Sequence, residues 1–328
     1  MIVPAAPSFW SHDGLLARTL SPLSVIGSAL TAARVARPGW RAPVPVVCCG
    51  NVTVGGAGKT TLVLDLEQRL SGRGVHILLR GYGGTSRGVH RVAPDDPASL
   101  VGDEALLLAQ AAPTWTSADR AASARAAIDA GAKILLMDDG LQNPTLAKTG
   151  SILVIDGRTG FGNGRVLPAG PLRELVSSAA ARCQAAVLIG SDATHAVARL
   201  PPSLPVLRAD LVQDPSIAAL AGRRVLAFAG IALPDKFFAP LRQAGAILVA
   251  TRAYPDHHPY TTRELDQLLQ LARDLQAIPV TTPKDAVRVP PTIRTQVTVV
   301  GVGLKWDEPG QIDRLLEKMI AAAPSFMP

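Results

Sequence analysis

Between residues 44 and 210, short apolar runs rich in β-branched residues alternate with longer stretches whose leucines and alanines recur every three or four positions. The short runs, at 44–49, 75–79, 134–137, 152–155, 186–189 and 205–209, have the length of buried strands. The longer stretches, at 60–71, 103–111, 119–130 and 191–199, predict helices. Such alternation predicts a mainly parallel sheet flanked by helices, with ligands gathering at the carboxyl ends of the strands. Residues 213–221 break the pattern and read as a linker. Strands at 224–228, 247–251, 279–282 and 297–300, with helices at 235–243, 262–275 and 311–323, then predict a second, smaller α/β domain. The final helix is free to pack back on the first domain. The chain thus divides into 1–43, 44–212 and 213–328.

Residues 1–43 differ in kind. Ser21 and Pro22 are residue types of an N-cap and a first helical position, which puts a helix start there. Beyond them Leu23, Ile26, Leu30 and Ala33 share one face, and Ser24, Ser28, Thr31 and Arg34 another. Only 15 uncharged residues, one a proline, separate Arg18 from Arg34. A membrane-spanning helix needs about 20 apolar residues, so none is expected. Four arginines (Arg18, Arg34, Arg37, Arg41) against Asp13 leave the segment at +3, flanked by Phe9, Trp10 and Trp40. An amphipathic, basic, tryptophan-flanked helix suits an anionic bilayer surface. The same pattern equally suits a helix packed on the protein's own core. No basic stretch followed by an apolar core opens the chain, so no secretory signal is expected.

The first strand of the alternating region runs into Gly50-Asn51-Val52-Thr53-Val54-Gly55-Gly56-Ala57-Gly58-Lys59-Thr60-Thr61, and a helical pattern follows. Strand, glycine-rich turn and helix is the context in which a phosphate-binding loop (P-loop) is credible. Its glycines let backbone N–H groups surround phosphate oxygens, and the helix N-terminus adds positive potential. Lys59 is then the residue that reaches the terminal phosphates, and the Thr60 hydroxyl ligates Mg2+. The strict pattern has glycine where this chain has Thr53. The fold class expected is therefore α/β, a P-loop-containing, mainly parallel sheet with a smaller α/β domain and an N-terminal amphipathic helix.

Charge adds a partner class: a formal +7 favours an anionic membrane, a phosphorylated substrate or nucleic acid. Aromatic residues make up only 4% and no long Lys/Arg block occurs, which argues against nucleic acid. Cys48, Cys49 and Cys183 give neither a disulfide framework nor metal-ligand spacing, as in a reducing compartment.

Other chemistry follows the strands. Asp138-Asp139-Gly140 ends a buried run, where a P-loop enzyme holds the acid that organises Mg2+; Asp-Asp-Gly is also a common solvated turn. Arg80-Gly81-Tyr82-Gly83 follows the second strand, and Arg80 suits phosphate. Gly102-Asp103-Glu104 opens a helix and, by itself, reads as charge complementing the helix dipole. A long loop carries Gly160-Phe161-Gly162-Asn163-Gly164 and then Arg173 and Glu174. Asp256-His257-His258 lies just ahead of a Thr261/Glu264 capping box, at a strand-to-helix junction.

In this order the stretches resemble one family, the tetraacyldisaccharide 4′-kinases of lipid A biosynthesis in Gram-negative bacteria. The carriers are residues 50–60, Arg80-Gly81-Tyr82-Gly83, Gly102-Asp103-Glu104-Ala105, Asp138-Asp139-Gly140-x-Gln142, the 160–174 loop, Asp256-His257, and Thr282-x-Lys284-Asp285-Ala286-Val287. Thr53 matches that family's loop. Ala57, Thr61 and Leu79 stand where the family more often has Thr, Pro and Ser, and none of these exchanges removes a chemical group from the proposed site.

The resemblance implies transfer of phosphate from ATP, with Mg2+, to the 4′-hydroxyl of a tetraacylated glucosamine disaccharide 1-phosphate. It implies a peripheral enzyme on the cytoplasmic face of the inner membrane, with the site in a cleft between two α/β domains. Asp103 would be the catalytic base and His257 its partner, with Lys59 on the phosphates. Thr53, Val54, Gly55, Gly56, Ala57, Gly58, Lys59, Thr60, Arg80 and Arg173 would bind nucleotide. Asp138, Asp139 and Glu174 would join Thr60 around the metal. A rival class, membrane-associated partitioning or positioning ATPases, shares the 55–61 stretch but usually carries a second lysine where this chain has Val54.

Overall fold

The computed structural model describes residues 7–323. Thirteen strands are described: β1 (Val46–Gly50), β2 (Val75–Leu79), β3 (His90–Arg91), β4 (Thr114–Thr116), β5 (Ile134–Asp138), β6 (Gly150–Asp156), β7 (Ala185–Ile189), β8 (Val206–Gln213), β9 (Arg224–Ala229), β10 (Ile247–Ala253), β11 (Ile278–Thr281), β12 (Thr298–Val299) and β13 (Val302–Trp306). Every residue of β1, β2, β5 and β7 is buried, as continuous apolar runs require when helices cover both faces of a parallel sheet. The larger sheet has the order β13-β8-β7-β6-β1-β5-β2-β4-β3, and the smaller β10-β9-β11-β12. All pairings are parallel except at the two edges of the larger sheet, β3 with β4 and β13 with β8.

The parallel register positions the chemistry. Cys49 of β1 stands opposite Asp138 of β5, and Gly50 opposite Leu153 of β6. The loops after β1, β5 and β6 therefore leave the sheet side by side. The smaller sheet is built the same way, with Phe237, Phe238 and Leu241 against one part of it and Leu265, Leu268 and Leu269 against another. The helix Thr262–Asp274 opens with the expected capping box: Glu264 N–H donates to Thr261 Oγ1 at 3.2 Å, and Thr261 N–H to Glu264 Oε2 at 2.8 Å.

Three sequence expectations change. No helix fills 191–199; only a 3-10 turn, Val197–Arg199, forms there. Asp192 accepts from the N–H groups of Ala196 (2.7 Å) and Val197 (3.2 Å), and this local bonding displaces the helical ladder. The stretch 213–221 is short linker only in part: β8 runs to Gln213, and Pro215–Leu220 coils tightly to bury Leu220. The chain also returns a strand to the larger sheet, where β13 pairs antiparallel with β8; the last helix, Pro309–Ala321, packs back as the sequence allowed, with Ile312, Leu316 and Met319 among Val47, Leu66 and Ile152. Gly150 permits this approach, because a Cβ there would lie 2.3 Å from Met319 Sδ. Arg69 closes the contact with Asp313 at 2.6 Å.

The N-terminal helix is the fourth correction. It spans Leu15–Val35, so Ser21 and Pro22 lie inside it and Gly14 is the N-cap. Pro22 points outward, where the missing N–H interrupts one turn without a buried cost. The orientation is the reverse of a core helix. Ala17 and Ser24 are buried, whereas Leu15 (82% exposed), Val25 (70%), Ile26 (59%) and Leu30 (68%) face outward. Ser24 Oγ donates to Val166 O at 2.6 Å and accepts from Ala169 N–H at 3.3 Å, while Arg165 bonds Ser21 and Asp13. A Cβ on Gly27 would meet Leu167 O at 3.2 Å. The small, polar stripe is thus what docks on the protein, and the core-packed alternative falls. At 21 residues the helix incorporates Arg18 and Arg34 and is, by length and composition, long and apolar enough to cross a bilayer. The 15-residue uncharged run had understated it. Residues 1–6, which carry the start of the expected segment, lie outside the described residues.

Candidate active site

The phosphate loop links β1 to the helix Lys59–Arg69. Gly55 and Gly58 adopt positive φ (114° and 81°), which turns the backbone inward in a way β-carbon-bearing residues resist. Gly58 is also needed for space, since a Cβ would lie 2.7 Å from Ile189 Cδ1. Thr53 and Val54 are held from outside: Val54 N–H donates to Pro171 O at 2.9 Å, and Arg173 N–H to Val52 O at 2.7 Å. The 160–174 loop is therefore a wall of the phosphate loop. Gly55 and Gly56 are exposed and Ala57 is buried beneath them.

Lys59 Nζ donates to Asn51 Oδ1 at 3.0 Å and lies 3.7 Å from Asp139 Oδ1. Asn51 is itself fixed, through Nδ2 to Thr53 Oγ1 at 2.9 Å. Arg173 Nη1 donates to both Asp139 oxygens at 2.9 Å. Asp139 has φ 52°, a left-handed conformation that an aspartate holds only when its surroundings enforce it. Thr60 Oγ1 donates to Asp138 Oδ2 at 3.1 Å.

Asp138 Oδ1 is buried with no hydrogen-bond partner. Burial first, then the charge of nearby Glu104, pushes the Asp138 carboxyl up to about 7, against the opposing pull of Lys59. An unpartnered, buried carboxylate oxygen beside a threonine hydroxyl fits a divalent cation. Among the described residues no group of three or more His, Cys, Asp or Glu forms a ready-made cage. That suits Mg2+, which takes one or two protein ligands and completes its shell with phosphate and water.

Glu174 does not sit as the resemblance implied for a metal ligand. Arg182 Nη2 donates to both its oxygens at 2.8 Å, and Gln142 Nε2 to Oε1 at 2.9 Å. The same Gln142 nitrogen donates to Asn51 O at 2.9 Å. Glu174 is thereby a buried strut behind the phosphate loop, through Gln142 to the residue that holds Lys59.

Asp103 opens the helix Asp103–Ala109, and His257 lies in the loop after β10. The fold brings them together: His257 Nδ1 is 2.7 Å from Asp103 Oδ2. This hydrogen bond raises the His257 pKa above its ordinary 6.5. His257 has φ 59°, a second left-handed non-glycine in the site. Gly102 makes the close approach possible, with φ 89° and space for no Cβ against Tyr82 O at 2.4 Å. Arg80 is exposed just past β2.

Residues 16–321 match the LpxK family, tetraacyldisaccharide-1-P 4′-kinase. The chain belongs to this family. A tetraacyldisaccharide 4′-kinase of Gluconacetobacter diazotrophicus is 55% identical over 325 residues, 98% of this chain and 99% of its own. One of Gluconobacter oxydans is 52% identical over 322 residues, 97% of this chain and 98% of its own. A crystal structure of LpxK from Aquifex aeolicus in complex with ATP shares the fold, with TM-score 0.74 at 24% identity, over 93% of this chain and 100% of that chain. The chain is accordingly a kinase, and the partitioning-ATPase alternative is set aside.

Sequence reasoning missed several residues at this site. Arg120 is almost fully buried, donates to Ser117 O and keeps an unpartnered Nε; burial lowers its pKa to about 10. Its signal was an arginine at the head of an alanine-rich helix, which reads as surface. Asn51 and Gln142 were inside recognised stretches but received no role. Arg288, one residue past Val287, went unread although its side chain is only 5% exposed and lies 3.3 Å from Asp103.

Proposed function

We propose that this chain transfers the γ-phosphoryl group of ATP to the 4′-hydroxyl of a tetraacylated glucosamine disaccharide 1-phosphate, the lipid A 4′-kinase reaction. The observation that carries this reading is the family match over residues 16–321. The site geometry supplies the chemistry. Lys59, resting on Asn51, moves to the β- and γ-phosphates; Arg173 and the loop N–H groups contribute further positive potential. The acceptor oxygen attacks phosphorus in line as the bond to ADP breaks, and its proton passes to Asp103, whose Oδ2 is held by His257. Thr60 and Asp138 are the residues that would hold Mg2+, whose contribution when bound is to neutralise charge on the β- and γ-phosphates. Incubation with labelled ATP and tetraacyldisaccharide 1-phosphate tests the reading; absence of label in the lipid rejects it.

The metal assignment has its own test. Asp138→Asn removes a buried charge that is ionised in the folded state only above about pH 7, whereas the unfolded carboxyl ionises near 3.8. The buried charge therefore lowers stability progressively as pH rises to 7 and has no effect below pH 4. Without metal, Asp138→Asn should raise unfolding free energy by on the order of 1–3 kcal/mol at pH 8 and by nothing at pH 4. Added Mg2+-ATP should raise the melting temperature of wild type but not of the variant. Equal Mg2+-dependent shifts in both would remove Asp138 from the metal site.

The membrane reading follows from the outward apolar face of Leu15–Val35. With its polar stripe bonded to residues 165–169, the helix lies along the catalytic unit and offers Leu15, Leu16, Val25, Ile26 and Leu30 to a bilayer. This suits a peripheral enzyme at the cytoplasmic face of the inner membrane, where an acylated, anionic substrate resides. Replacing Leu23, Ile26 and Leu30 by Ser should lower sedimentation with anionic vesicles at least ~10-fold, since each buried aliphatic side chain is worth about 1.5–3 kcal/mol. High salt should weaken the wild type further through Arg18, Arg34 and Arg37. Unchanged vesicle binding would reject the docking face.

A further inference from the structure

The two sheets meet at Asp103, and the contact contains more than His257. Arg288 extends from the segment after the short helix Pro283–Ala286, and its Nε lies 3.3 Å from Asp103 Oδ2. We propose that Arg288 is a positioning residue for the phosphoryl-transfer reaction, holding Asp103 Oδ2 from the opposite sheet so that Oδ1 alone faces the acceptor hydroxyl. This rests on the reading of Asp103 as the proton acceptor.

Four bonds fix the guanidinium before it reaches Asp103. Nε donates to Lys284 O at 3.1 Å and Nη1 to His258 O at 2.9 Å. Nη2 donates to Gly230 O at 3.1 Å and Asp285 Oδ1 at 2.9 Å. Asp285 is fully buried and is held in turn by Gly230 N–H (2.8 Å), the Tyr260 hydroxyl (2.7 Å) and the Thr282 hydroxyl (2.6 Å). Every one of these partners belongs to the loops or to the short helix Pro283–Ala286 beside the smaller sheet. The charge therefore has a fixed position, and Asp103 must come to it rather than the reverse.

Both groups that approach Asp103 use the same oxygen. His257 Nδ1 lies 2.7 Å and Arg288 Nε 3.3 Å from Oδ2, while Oδ1 has no hydrogen-bond partner among the described residues and is not sealed from solvent. A carboxylate hydrogen-bonded by His257 at the oxygen that also faces the fixed Arg288 charge, whose own Nε–H is spent on Lys284 O, has one preferred orientation, and the lone pairs of the other oxygen are left for a proton. Lys284 and Glu104, 3.5 Å apart and half exposed, flank this contact and add little to it. The seat exists only while the two sheets hold this arrangement, which ties proton acceptance to their closure on each other.

Removing the guanidinium alone leaves Asp285 buried without its counter-charge and endangers folding. The test therefore uses the full chain carrying Arg288→Met with Asp285→Asn, beside Arg288→Lys and wild type. The expected result for the double variant is a kcat about 10²-fold lower, as for a misplaced reacting group, with KM for ATP nearly unchanged. Arg288→Lys should recover little, because an ammonium cannot fill a fork of four acceptors. The His257 imidazole, which faces Asp103, Asp256 and Lys284, should titrate at higher pH by 15N NMR once it no longer shares Oδ2. An unmoved His257 titration overturns the proposal whatever happens to kcat, and so does a kcat within about threefold of wild type. Failure of wild type to label the lipid would instead reject the function, while the His257 titration would still decide the role of Arg288.

Discussion

Lys59→Ala should abolish lipid phosphorylation, with a fall in kcat of at least ~10²–10³-fold, the usual effect of deleting one preorganised charge from a transition-state site. The fold should persist. The Lys59 side chain is only about 10% exposed, yet its ammonium touches no apolar core; it bonds Asn51 Oδ1 and sits near Asp139. Removing it leaves Asp139 with Arg173 Nη1 on both its oxygens, and the buried Asp138, which loses the pull of Lys59, can stay protonated rather than be stranded as a charge. Lys59→Arg should fail nearly as badly, because Asn51 Oδ1 positions a compact ammonium and a planar guanidinium places its charge differently. Single-turnover assays with labelled ATP, together with melting temperatures, check this. A folded Lys59→Ala protein that retains turnover within ~10-fold of wild type would sink the phosphate-loop argument.

Asn51→Ala gives the complementary expectation at smaller size, because it removes the resting place of Lys59 without removing the charge. The sequence made the phosphate loop legible because its constraint is local: glycine conformations, one lysine and one hydroxyl, all within a dozen residues. Buried parallel strands were legible for a similar reason, since both faces are covered and the apolar run is continuous. What depended on distant partners was not. By its own spacing Asp103 reads as a helix-dipole residue; only the family resemblance pairs it with His257, and the fold sets the two 2.7 Å apart across 154 residues of chain. Glu174 was placed near the metal by the resemblance alone, but the charge that claims it comes from Arg182, which carries no motif. The helix expected at 191–199 failed because a single aspartate, Asp192, offered its own bonds to the backbone. The N-terminal helix had two faces in the sequence, and only the seat for Ser24 between Val166 and Ala169 decides which one turns inward.

If Asp103 and His257 work as one unit, Asp103→Ala and His257→Ala should each lower kcat by about 10²–10⁴-fold, the usual contribution of a positioned general base. KM for ATP should change little, since neither residue contacts the phosphate loop. The double variant should then be scarcely worse than the worse single variant, because groups acting as a unit are not additive. Two features favour the unit: the 2.7 Å bond between them and the left-handed backbone of His257, which the surrounding loop must hold against its preference. The sign of the pH effect follows from the raised His257 pKa. The charged form of the pair is complete below pH 6.5 and is lost as pH rises through the raised value, leaving a neutral imidazole that still donates Nδ1–H to Oδ2. The wild-type kcat profile should bend in that window, and His257→Ala should lack the bend. A helix-dipole role for Asp103 makes the opposite forecast: Asp103→Asn would cost about 0.3–1 kcal/mol of stability and spare turnover. Measuring kcat, its pH profile and thermal stability for both single variants and the double distinguishes the two, and losses that multiply would reject the dyad even if each residue proves important.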